Sequence, residues 1–472
     1  MIKHPKAETE SAVAREFVGA ELGDARLGRR LTTIAQRLAA APDVAFPRAL
    51  ATGADLEGFY RFVRNDGVTP QGLLKPHVDA TIGRLVEQAE VLAVHDTSEF
   101  RFGGSREDLG RLTKSGHGFL GHFTLAVTLD VQRDPLGTLA LETWTRDEQT
   151  PTALRKQGML SQTEAMGLPN EQDRWWRGIE AAEAAVAGAT SLIHVMDSEA
   201  DDYDLMSKLV EARHRWVIRL CHDRVLATPG QSAKTRELVA QREVLCKRTV
   251  RLSRRERQPG GARRKRAAAR EQRVATLAIS AAAVTFQRSR YCKQSPERLA
   301  VNIVSVREID PPTDEEPVEW LLITTEPIDS EDNVLKVVDC YRGRWRIEEL
   351  FKALKTGCAF EKRQLESRQT LLNALAIFVP IAWNLLRLRT AARSQESTPA
   401  RLILDPDQIA VLRKASDAPL PTALTARDAM LAIARLGGHL RSNGDPGWAV
   451  LGRGYQDLLM MVAGYRLATR KM

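Results

Sequence analysis

The chain of 472 residues is poor in cysteine, and its few cysteines lie far apart. An odd number of widely spaced thiols argues against a disulfide framework and against a cysteine-based zinc site, and it favours reduced thiols. The first residues also lack the apolar region of a signal peptide. We therefore expect a cytoplasmic protein. The cysteines are Cys221, Cys246, Cys292, Cys340 and Cys358.

The most apolar run of the chain covers residues 371–386. It is shorter than a typical membrane span and is interrupted by Asn373, Pro380 and Asn384. These features predict a buried helix, and we expect no membrane partner. A hydrophobic content of 43% is typical of a globular chain, and the length suggests about three domains.

Positive charge exceeds negative charge, with 69 lysine and arginine residues against 60 aspartate and glutamate residues. A formal net charge of +9 favours an acidic polymer such as DNA as the partner. Basic residues crowd around Pro259-Gly260-Gly261, within a segment at about 222–330 that alternates in polarity. This pattern predicts a β-rich insert with a basic loop that contacts phosphate.

Two short apolar runs each lead to an aspartate. Residues 91–94 and then His95 precede Asp96, and residues 192–196 precede Asp197. Both runs predict buried strands whose last residue emerges at the edge of a sheet. Because an aspartate after a strand is often only a helix N-cap, neither residue is informative alone.

The segments around these acids alternate between strand and helix patterns. They are a hairpin over 123–131 and 136–144, a helix over 172–189, a helix over 203–213 and a strand over 215–220. This order predicts an α/β fold with a ribonuclease H-like catalytic core and a β-rich insert. Helical segments flank the core at both ends, and fold analogy alone does not establish function.

A third acid, Glu348, lies in a segment with a helical pattern at residues 341–355. At about 100° per residue, its polar residues fall within an arc of roughly 80° beside an apolar face. Gly343 loosens the start of this helix by up to ~1 kcal/mol relative to alanine. A carboxylate suits a hard metal ion and flanking cations suit phosphate oxygens, so the face predicts phosphodiester chemistry on DNA. The polar residues are Tyr341, Arg344, Glu348, Lys352 and Lys355.

Together these residues resemble the DDE cut-and-paste transposases of the insertion-sequence-four family, and most of all its transposon-five group. Tyr341, Arg344, Glu348 and Lys355 reproduce the signature Y-x2-R-x3-E-x6-K without gaps. Asp96-Thr97 and Asp197-Ser198-Glu199-Ala200-Asp201 are similar to the first and second catalytic blocks. Further similar segments are Leu22-Gly23-Asp24-Ala25-Arg26, Phe59-Tyr60-Arg61-Phe62-Val63-Arg64-Asn65, Glu319-Trp320-Leu321-Leu322 and Ala434-Arg435-Leu436-Gly437-Gly438.

The resemblance implies that Asp96, Asp197 and Glu348 bind two metal ions in the active site. Oxygen ligands without a cysteine or histidine cluster favour Mg²⁺, with Mn²⁺ as a substitute, over zinc. Tyr341, Arg344 and Lys355 complete the implied catalytic residues, and the two cations are expected to hold phosphates near a bent DNA end. Tyr341 is not expected to be a nucleophile. The alternative to a catalytic role is that it is a buried tyrosine that donates one hydrogen bond.

The resemblance also implies residues that contact DNA outside the catalytic acids. Arg26 and Arg30, on a helix that follows Asp24, and Arg61 are expected to contact transposon-end DNA. A solvated basic face is the alternative for the helix. Arg219 is expected to contact phosphate, and Trp320 to stack on an extruded base, although tryptophans are also common in protein cores.

The resemblance implies a helical DNA-end-binding domain at 1–70, a catalytic domain at 71–368 with the insert, and a helical dimerisation domain at 369–472. The implied function is cleavage at inverted terminal repeats, via hairpin ends, followed by strand transfer into target DNA. We expect a homodimer in the DNA complex, associated with a bacterial nucleoid in the cytoplasm. The alternatives are a general metal-dependent nuclease and an inactive, transposase-derived DNA-binding regulator.

Overall fold

The computed structural model describes residues 12–50, 52–104, 106, 108–113, 115–146, 171–227, 233–252, 271–289, 292, 295–313, 315–393, 398–440 and 445–469. Contacts divide the chain into two compact units: residues 1–191 with 345–472, and residues 192–344. The predicted domain boundaries at 70 and 368 stay a prediction. The basic loop around Pro259 lies outside the described residues.

The described residues are mixed α/β, as the sequence predicts. The strands are β1 Glu90–Phe102, β2 Gly110–Arg111, β3 His117–Thr128, β4 Pro135–Trp144, β5 Ser191–Met196, β6 Arg215–Arg219, β7 Cys246–Leu252, β8 Arg273–Gln287, β9 Arg298–Ile309 and β10 Glu319–Thr324. The α-helices are α1 Ala12–Arg15, α2 Ala25–Ala40, α3 Phe46–Ala49, α4 Gly53–Val63, α5 Pro70–Leu85, α6 Arg174–Val186, α7 Tyr203–Glu211, α8 Thr235–Ala240, α9 Glu331–Gly343, α10 Trp345–Lys352, α11 Arg368–Arg393, α12 Pro406–Ala415, α13 Ala426–Leu436 and α14 Trp448–Thr469.

The first unit begins with the helices α1 to α5. Asp24 caps α2, because its carboxylate accepts a hydrogen bond from the Arg26 backbone N–H at 2.7 Å. Leu31, Ile34 and Leu38 form the buried stripe of this helix. Burial of that stripe leaves the arginines of α2 on the outer side of the helix, as the sequence predicts.

The strands of the first unit are antiparallel. β3 pairs with β1 along one edge and with β4 and the short β2 along the other. The predicted hairpin is therefore confirmed as β3 and β4. Its loop begins earlier than predicted, because the Thr128 backbone N–H bonds to the Asp134 carbonyl at 3.0 Å and so closes a loop at 129–134.

Helix α11 crosses the interior of the first unit and confirms the predicted buried helix at 371–386. By length and composition this helix could span a membrane, but 94% of its apolar window is buried inside the protein. The polar residues that interrupt the run are satisfied there. Asn373 donates to the carbonyls of Val63 and Val68 at 2.9 and 3.0 Å, and Asn384 donates to the Tyr455 hydroxyl at 3.2 Å.

The second unit contains a parallel strand pair followed by an antiparallel insert. β5 and β6 are parallel, with α7 between them in the chain, which confirms the predicted helix and strand after Asp197. β10 pairs with the other edge of β6, and β9, β8 and β7 follow in that order. The insert is therefore rich in β-structure, as predicted.

Candidate active site

Asp96 lies in the middle of β1, so the prediction that it ends a strand is wrong. β3 pairs with β1 residue by residue from Val91 to Phe102, and the ladder therefore continues past the acid. The polar residues at 97–99 end the apolar run without ending the strand, because β3 supplies the backbone partners. Asp96 is half-buried, and its Oδ1 accepts a hydrogen bond from the Thr97 backbone N–H at 2.7 Å.

The side chain of Asp96 lies on the face of the first unit's sheet that α10 covers. Residues directly opposite each other in an antiparallel pair share a face, and Asp96 pairs with Phe123. The Phe123 ring packs edge-on against Phe351 of α10, with ring centroids 5.4 Å apart. Glu348 precedes Phe351 by three residues, so the two side chains are neighbours on the helix. Asp96 and Glu348 therefore belong to one packed layer.

Helix α10 is fixed in place by buried charges as well as by apolar packing. Glu349 is buried and accepts hydrogen bonds from Arg346 at 2.7 Å and from Arg393 at 3.2 Å. Arg346 also donates to the carbonyls of Gln132 and Arg133 in the loop between β3 and β4, at 2.7 and 2.9 Å. These contacts constrain the orientation of the helix that carries Glu348.

The signature segment is not the continuous α-helix that the sequence predicts. Helix α9 ends at Gly343, Arg344 forms a turn, and α10 begins at Trp345. Beyond Lys352 the chain forms a π-helical turn at Ala353–Gly357, where the Cys358 N–H bonds to the Ala353 carbonyl at 2.7 Å. The predicted arc of 100° per residue therefore does not extend to Lys355. Single π-helical turns are frequent at functional sites.

Lys355 nevertheless reaches the same face of β1 as Asp96. Its Nζ donates to the Glu99 carbonyl at 2.6 Å and lies 5.3 Å from the ring centroid of Phe100. Phe100 is four residues after Asp96 in the strand, so both side chains point to one face. Burial lowers the pKa of Lys355, while the charges of Glu361 and Glu99 act in the opposite direction. The first unit thus brings Asp96, Glu348 and Lys355 to one layer.

Asp197 follows β5 directly, as the sequence predicts. Its backbone is extended, with φ −85° and ψ −171°, and its Oδ1 accepts a hydrogen bond from the Glu199 N–H at 2.8 Å. The aspartate is therefore also the N-cap of the short 3₁₀ turn Ser198–Ala200. A carboxylate has about four acceptor sites on its two oxygens, so this hydrogen bond is compatible with a further ligand on Asp197.

The second unit also gathers the predicted cations and aromatic rings. Tyr341 is buried, and its ring meets Trp320 edge-on with centroids 5.4 Å apart. Burial raises the pKa of Tyr341, and the cations Arg344 and Arg219, with a hydrogen bond from Arg219, act in the opposite direction. The negative charge of Asp197 is close enough to raise the same pKa. Trp320 is half-buried, so only part of its ring is accessible.

The three arginines predicted to contact transposon ends lie on the surface of the amino-terminal helices. Arg26 and Arg30 are exposed on α2 and line a groove of about 340 Å³ with Arg29 and Arg37. Arg61 is exposed on α4 and forms an ion pair with Glu57 at 2.7 Å. Their positions fit contact with a DNA backbone, and the contact itself stays a prediction.

Sequence reasoning missed Trp345, which is 55% exposed on the helix that carries Glu348. The Lys352 ammonium lies 5.5 Å from the centroid of its ring. The signal was present in the sequence, because three residues at about 100° place Trp345 roughly 60° from Glu348 around the helix. An exposed aromatic ring beside a cation suits contact with a nucleobase and its phosphate.

The residues of the two units share one type of chemistry. Carboxylate oxygens are the donors that hard divalent cations prefer, and the described residues of both units therefore fit such an ion. The lysine of the first unit, and the arginines and half-buried tryptophan of the second, suit phosphates and bases. These features define a class: enzymes that act on phosphodiester bonds of nucleic acids.

Comparisons with known proteins identify the family. A family model described as transposase DNA-binding matches residues 9–68, and one described as transposase DDE domain matches residues 175–385. The second match includes Asp197 and Glu348 and does not reach Asp96. A solved structure, the cryo-EM structure of the piggyBac transposase synaptic complex with hairpin DNA, is 10% identical and aligns over 98% of this chain and 76% of that chain, with a TM-score of 0.36. Because that TM-score is low, the likeness does not bear on fold or function.

The chain belongs to the DDE transposases, and it is an enzyme that cuts and joins DNA strands. The predicted ribonuclease H-like core, amino-terminal DNA-binding region and DNA partner are thereby confirmed. Enzymes of this family generally use divalent metal ions. The predicted similarity to the insertion-sequence-four family and its transposon-five group stays a prediction, as do the roles of the individual site residues.

Proposed function

We propose that this transposase excises its element by cutting at inverted terminal repeats, forming hairpin ends, reopening them and joining them to target DNA. The observation that carries the proposal is the layer in the first unit where α10 and the π-helical turn bring Glu348 and Lys355 to the Asp96 face of β1. The acids would hold a divalent ion, and that ion, together with the adjacent cation, would stabilise the negative charge that develops on a reacting phosphate.

Asp96, Asp197 and Glu348 are the proposed ligands of two Mg²⁺ ions, with Mn²⁺ as a substitute. Two bound ions would supply activation of the attacking oxygen and stabilisation of the leaving oxygen in an in-line displacement. The donor set supports this choice, because all three side chains offer carboxylate oxygens. No covalent bond between enzyme and DNA is required, and Tyr341, already engaged by Arg219, is therefore a positioning group.

The cations next to the acids are proposed to hold the phosphates that flank the cut. Lys355 is anchored through the Glu99 carbonyl and the Phe100 ring, so little side-chain freedom remains for it to lose on binding. Arg219 is exposed at the end of β6, where it can reach a phosphate while it contacts Tyr341. Arg344 contributes a further positive charge at the same tyrosine.

Hairpin formation requires a sharply bent DNA end, and extruding one base costs a few kcal/mol. Trp320 is the proposed stacking platform that offsets this cost by about 1–3 kcal/mol. Its half-buried ring, fixed by the edge contact with Tyr341, supports the proposal. The exposed Trp345 is a second aromatic contact that the bent end could use.

Arg26, Arg30 and Arg61 are proposed to bind the phosphates of the transposon end, supported by their exposure and by the DNA-binding match at residues 9–68. We further propose that the enzyme works as a homodimer in its DNA complex, with its carboxyl-terminal helices in the pairing. Its proposed place is the bacterial cytoplasm, at the nucleoid.

The decisive experiment is incubation of the full chain with the flanking ends of its own element and Mg²⁺, followed by a denaturing gel. The proposal predicts hairpinned fragments, which migrate differently from linear strands of the same sequence. A scrambled end is the matched control and should stay uncut. Cleavage of both substrates would indicate a general nuclease, and binding without cleavage would indicate an inactive regulator.

A further inference from the structure

The second catalytic block contains a second acid, Asp201, for which the signature chemistry has no role. Its side chain is fully buried. Its Oδ2 accepts hydrogen bonds from the backbone N–H groups of Cys221 at 2.7 Å and His222 at 2.8 Å. Its Oδ1 accepts from Arg224 Nε at 3.0 Å, and Arg224 Nη2 donates to the same oxygen and to the Asp201 carbonyl. One carboxylate thus receives four donors from one short segment.

A metal site is the first alternative for this cluster. Ligand atoms of Asp201, Cys221 and His222 lie within 4.8 Å of one another, a spacing that could hold an ion. The hydrogen bonds argue against it. The Asp201 oxygens already accept four of them, and the Cys221 thiol donates to the Ser198 carbonyl at 3.4 Å. These groups are bonded to one another, so the cluster is built to hold the chain.

The four hydrogen bonds of Asp201 connect two segments that each carry a residue of the proposed active site. Asp201 ends the turn that begins at Asp197, where the Ala200 N–H bonds to the Asp197 carbonyl at 3.2 Å. Cys221 follows Arg219 by two residues in the segment after β6. The parallel ladder between β5 and β6 ends at Met196 and Ile218, so it includes neither Asp197 nor Arg219. Asp201 supplies the connection just beyond that point.

The same segment is tied to β10. The Leu220 N–H bonds to the Leu321 carbonyl at 2.7 Å, and Leu321 directly follows Trp320. Displacement of residues 220–222 would therefore also move Arg219 and the strand that carries Trp320. The carboxylate of Asp201 fixes this segment from the side of Asp197.

We propose that Asp201 is a positioning residue that fixes the turn of Asp197 against the segment of Arg219, and so sets the affinity of the site for its divalent ion. This inference rests on the proposed role of Asp197 as a metal ligand. Replacing a group that orients a metal ligand typically weakens metal binding about 10- to 100-fold, and we expect a loss of that order here. Asp201 itself does not touch the ion or the DNA.

The test compares Asp201→Asn with Asp202→Ala in the full-length protein. The first variant removes the charge and turns an amide NH₂ either toward the backbone N–H groups of Cys221 and His222 or toward the guanidinium of Arg224, and all of these groups need an acceptor. The second removes the cap of α7, where Asp202 accepts from the Asp204 and Leu205 N–H groups at 2.9 and 3.0 Å. Both changes lose local hydrogen bonds in one loop, but only the first disturbs residues 220–224.

Mn²⁺ affinity is measured by titration calorimetry, alongside thermal melting and end cleavage. We expect Asp201→Asn to weaken Mn²⁺ binding about 10- to 100-fold and Asp202→Ala to leave it unchanged, even where both lower the melting temperature. Equal Mn²⁺ affinity in wild type and Asp201→Asn would overturn the inference. If Asp201→Asn does not fold, Asp201→Glu, which keeps the charge but lengthens the side chain, is judged by the same criterion.

The experiment also separates this inference from the proposed function. Absence of hairpins with wild-type protein would contradict the function, whereas the Mn²⁺ titration would still report whether Asp201 affects metal binding. Asp197→Asn serves as the reference for loss of a direct ligand. Mn²⁺ binding that is insensitive to Asp197→Asn would overturn the inference, because Asp201 would then have no ligand to position.

Discussion

Asp96 and Asp197 look alike in the sequence, each at the end of an apolar run, but the two units hold them in different ways. In the first unit, Asp96 sits inside a long strand, and a packed helix covers its face. In the second unit, Asp197 follows the strand and begins a short turn, and Asp201 at the end of that turn is hydrogen-bonded to residues 221 and 222. A paired strand and a packed helix position the first acid, and a hydrogen-bonded turn positions the second.

This difference has a physical consequence. Packed layers resist displacement because every shift opens a void or creates an overlap, and their disruption appears mainly as lost stability. A turn held by a few hydrogen bonds can also shift when one of them is lost, and the shift moves the oxygens that the turn carries. Substitutions of residues that hold the packed layer around Asp96 should therefore affect mainly unfolding. Substitutions of residues that hold the Asp197 turn should also affect metal binding.

The largest expected effect is that of Glu348→Gln, which keeps the shape of the side chain and removes its charge. Loss of a metal ligand should remove several kcal/mol of transition-state stabilisation, so end cleavage should fall about a thousandfold or more. Binding of transposon-end DNA, measured by gel shift, should be retained. Cleavage at the wild-type rate would show that Glu348 is not an active-site residue.

The adjacent substitution, Glu349→Gln, provides the matched contrast on the same helix. Glu349 is buried between Arg346 and Arg393, and loss of its charge takes a carboxylate from both cations, although Arg393 keeps Asp445 at 3.6 Å. Because Arg393 is one-third exposed, we expect a loss of roughly 2–3 kcal/mol in the free energy of unfolding, less than for fully buried pairs. Urea unfolding measures this loss. Unchanged stability would contradict the role of Glu349 in anchoring α10.

Trp320→Ala tests the aromatic contribution of the second unit. Loss of base stacking should raise the activation free energy of hairpin formation by about 1–3 kcal/mol, which slows this step roughly 5- to 150-fold. The first nick should be nearly unaffected. Trp320→Phe keeps an aromatic face and should restore most of the rate. Single-turnover gels resolve the two steps, and an equal slowing of both would show that the ring serves packing alone.

The smallest expected effect is confined to alkaline pH. Burial lowers the pKa of Lys355 below its usual 10.5. As the pH rises, this ammonium therefore loses its proton at a lower pH than an ordinary lysine, and with it the charge that attracts phosphate. As the pH rises, the cleavage rate should therefore begin to decline before pH 10.5 is reached. Lys355→Arg should move that decline to higher pH because arginine stays charged. A pH–rate profile that is the same for both proteins would assign the decline to another group.

The sequence predicted strands, helices and signature residues wherever local periodicity decides the structure. The hairpin of β3 and β4, the helix after Asp24 and the buried helix α11 all follow from alternation or a helical stripe. The end of β1 was missed because polar residues after Asp96 break the apolar pattern, while a partner strand distant in the sequence sustains the ladder. Tertiary pairing overrode the local signal there.

The sequence selects the candidate site as a set of residues, whose roles stay a prediction, but it does not predict their arrangement. The spacing of the signature selects Glu348 and Lys355, whereas the turn at Arg344 and the π-helical turn at Ala353–Gly357 have no local pattern that predicts them. Asp201 was visible only as part of a motif. Its role depends on donors some twenty residues later, in a segment whose position is set by where β6 ends.

Cleavage of the protein backbone by bound Fe²⁺ and peroxide tests the proposal that Asp96, Asp197 and Glu348 bind the same divalent ions. Radicals formed at a metal cut the chain close to its ligands, so we expect fragments that end near residues 96, 197 and 348. All three cuts should disappear together in Asp197→Asn and should be suppressed by excess Mg²⁺. Cuts near 96 and 348 that persist unchanged in Asp197→Asn would show that Asp197 does not share their ions.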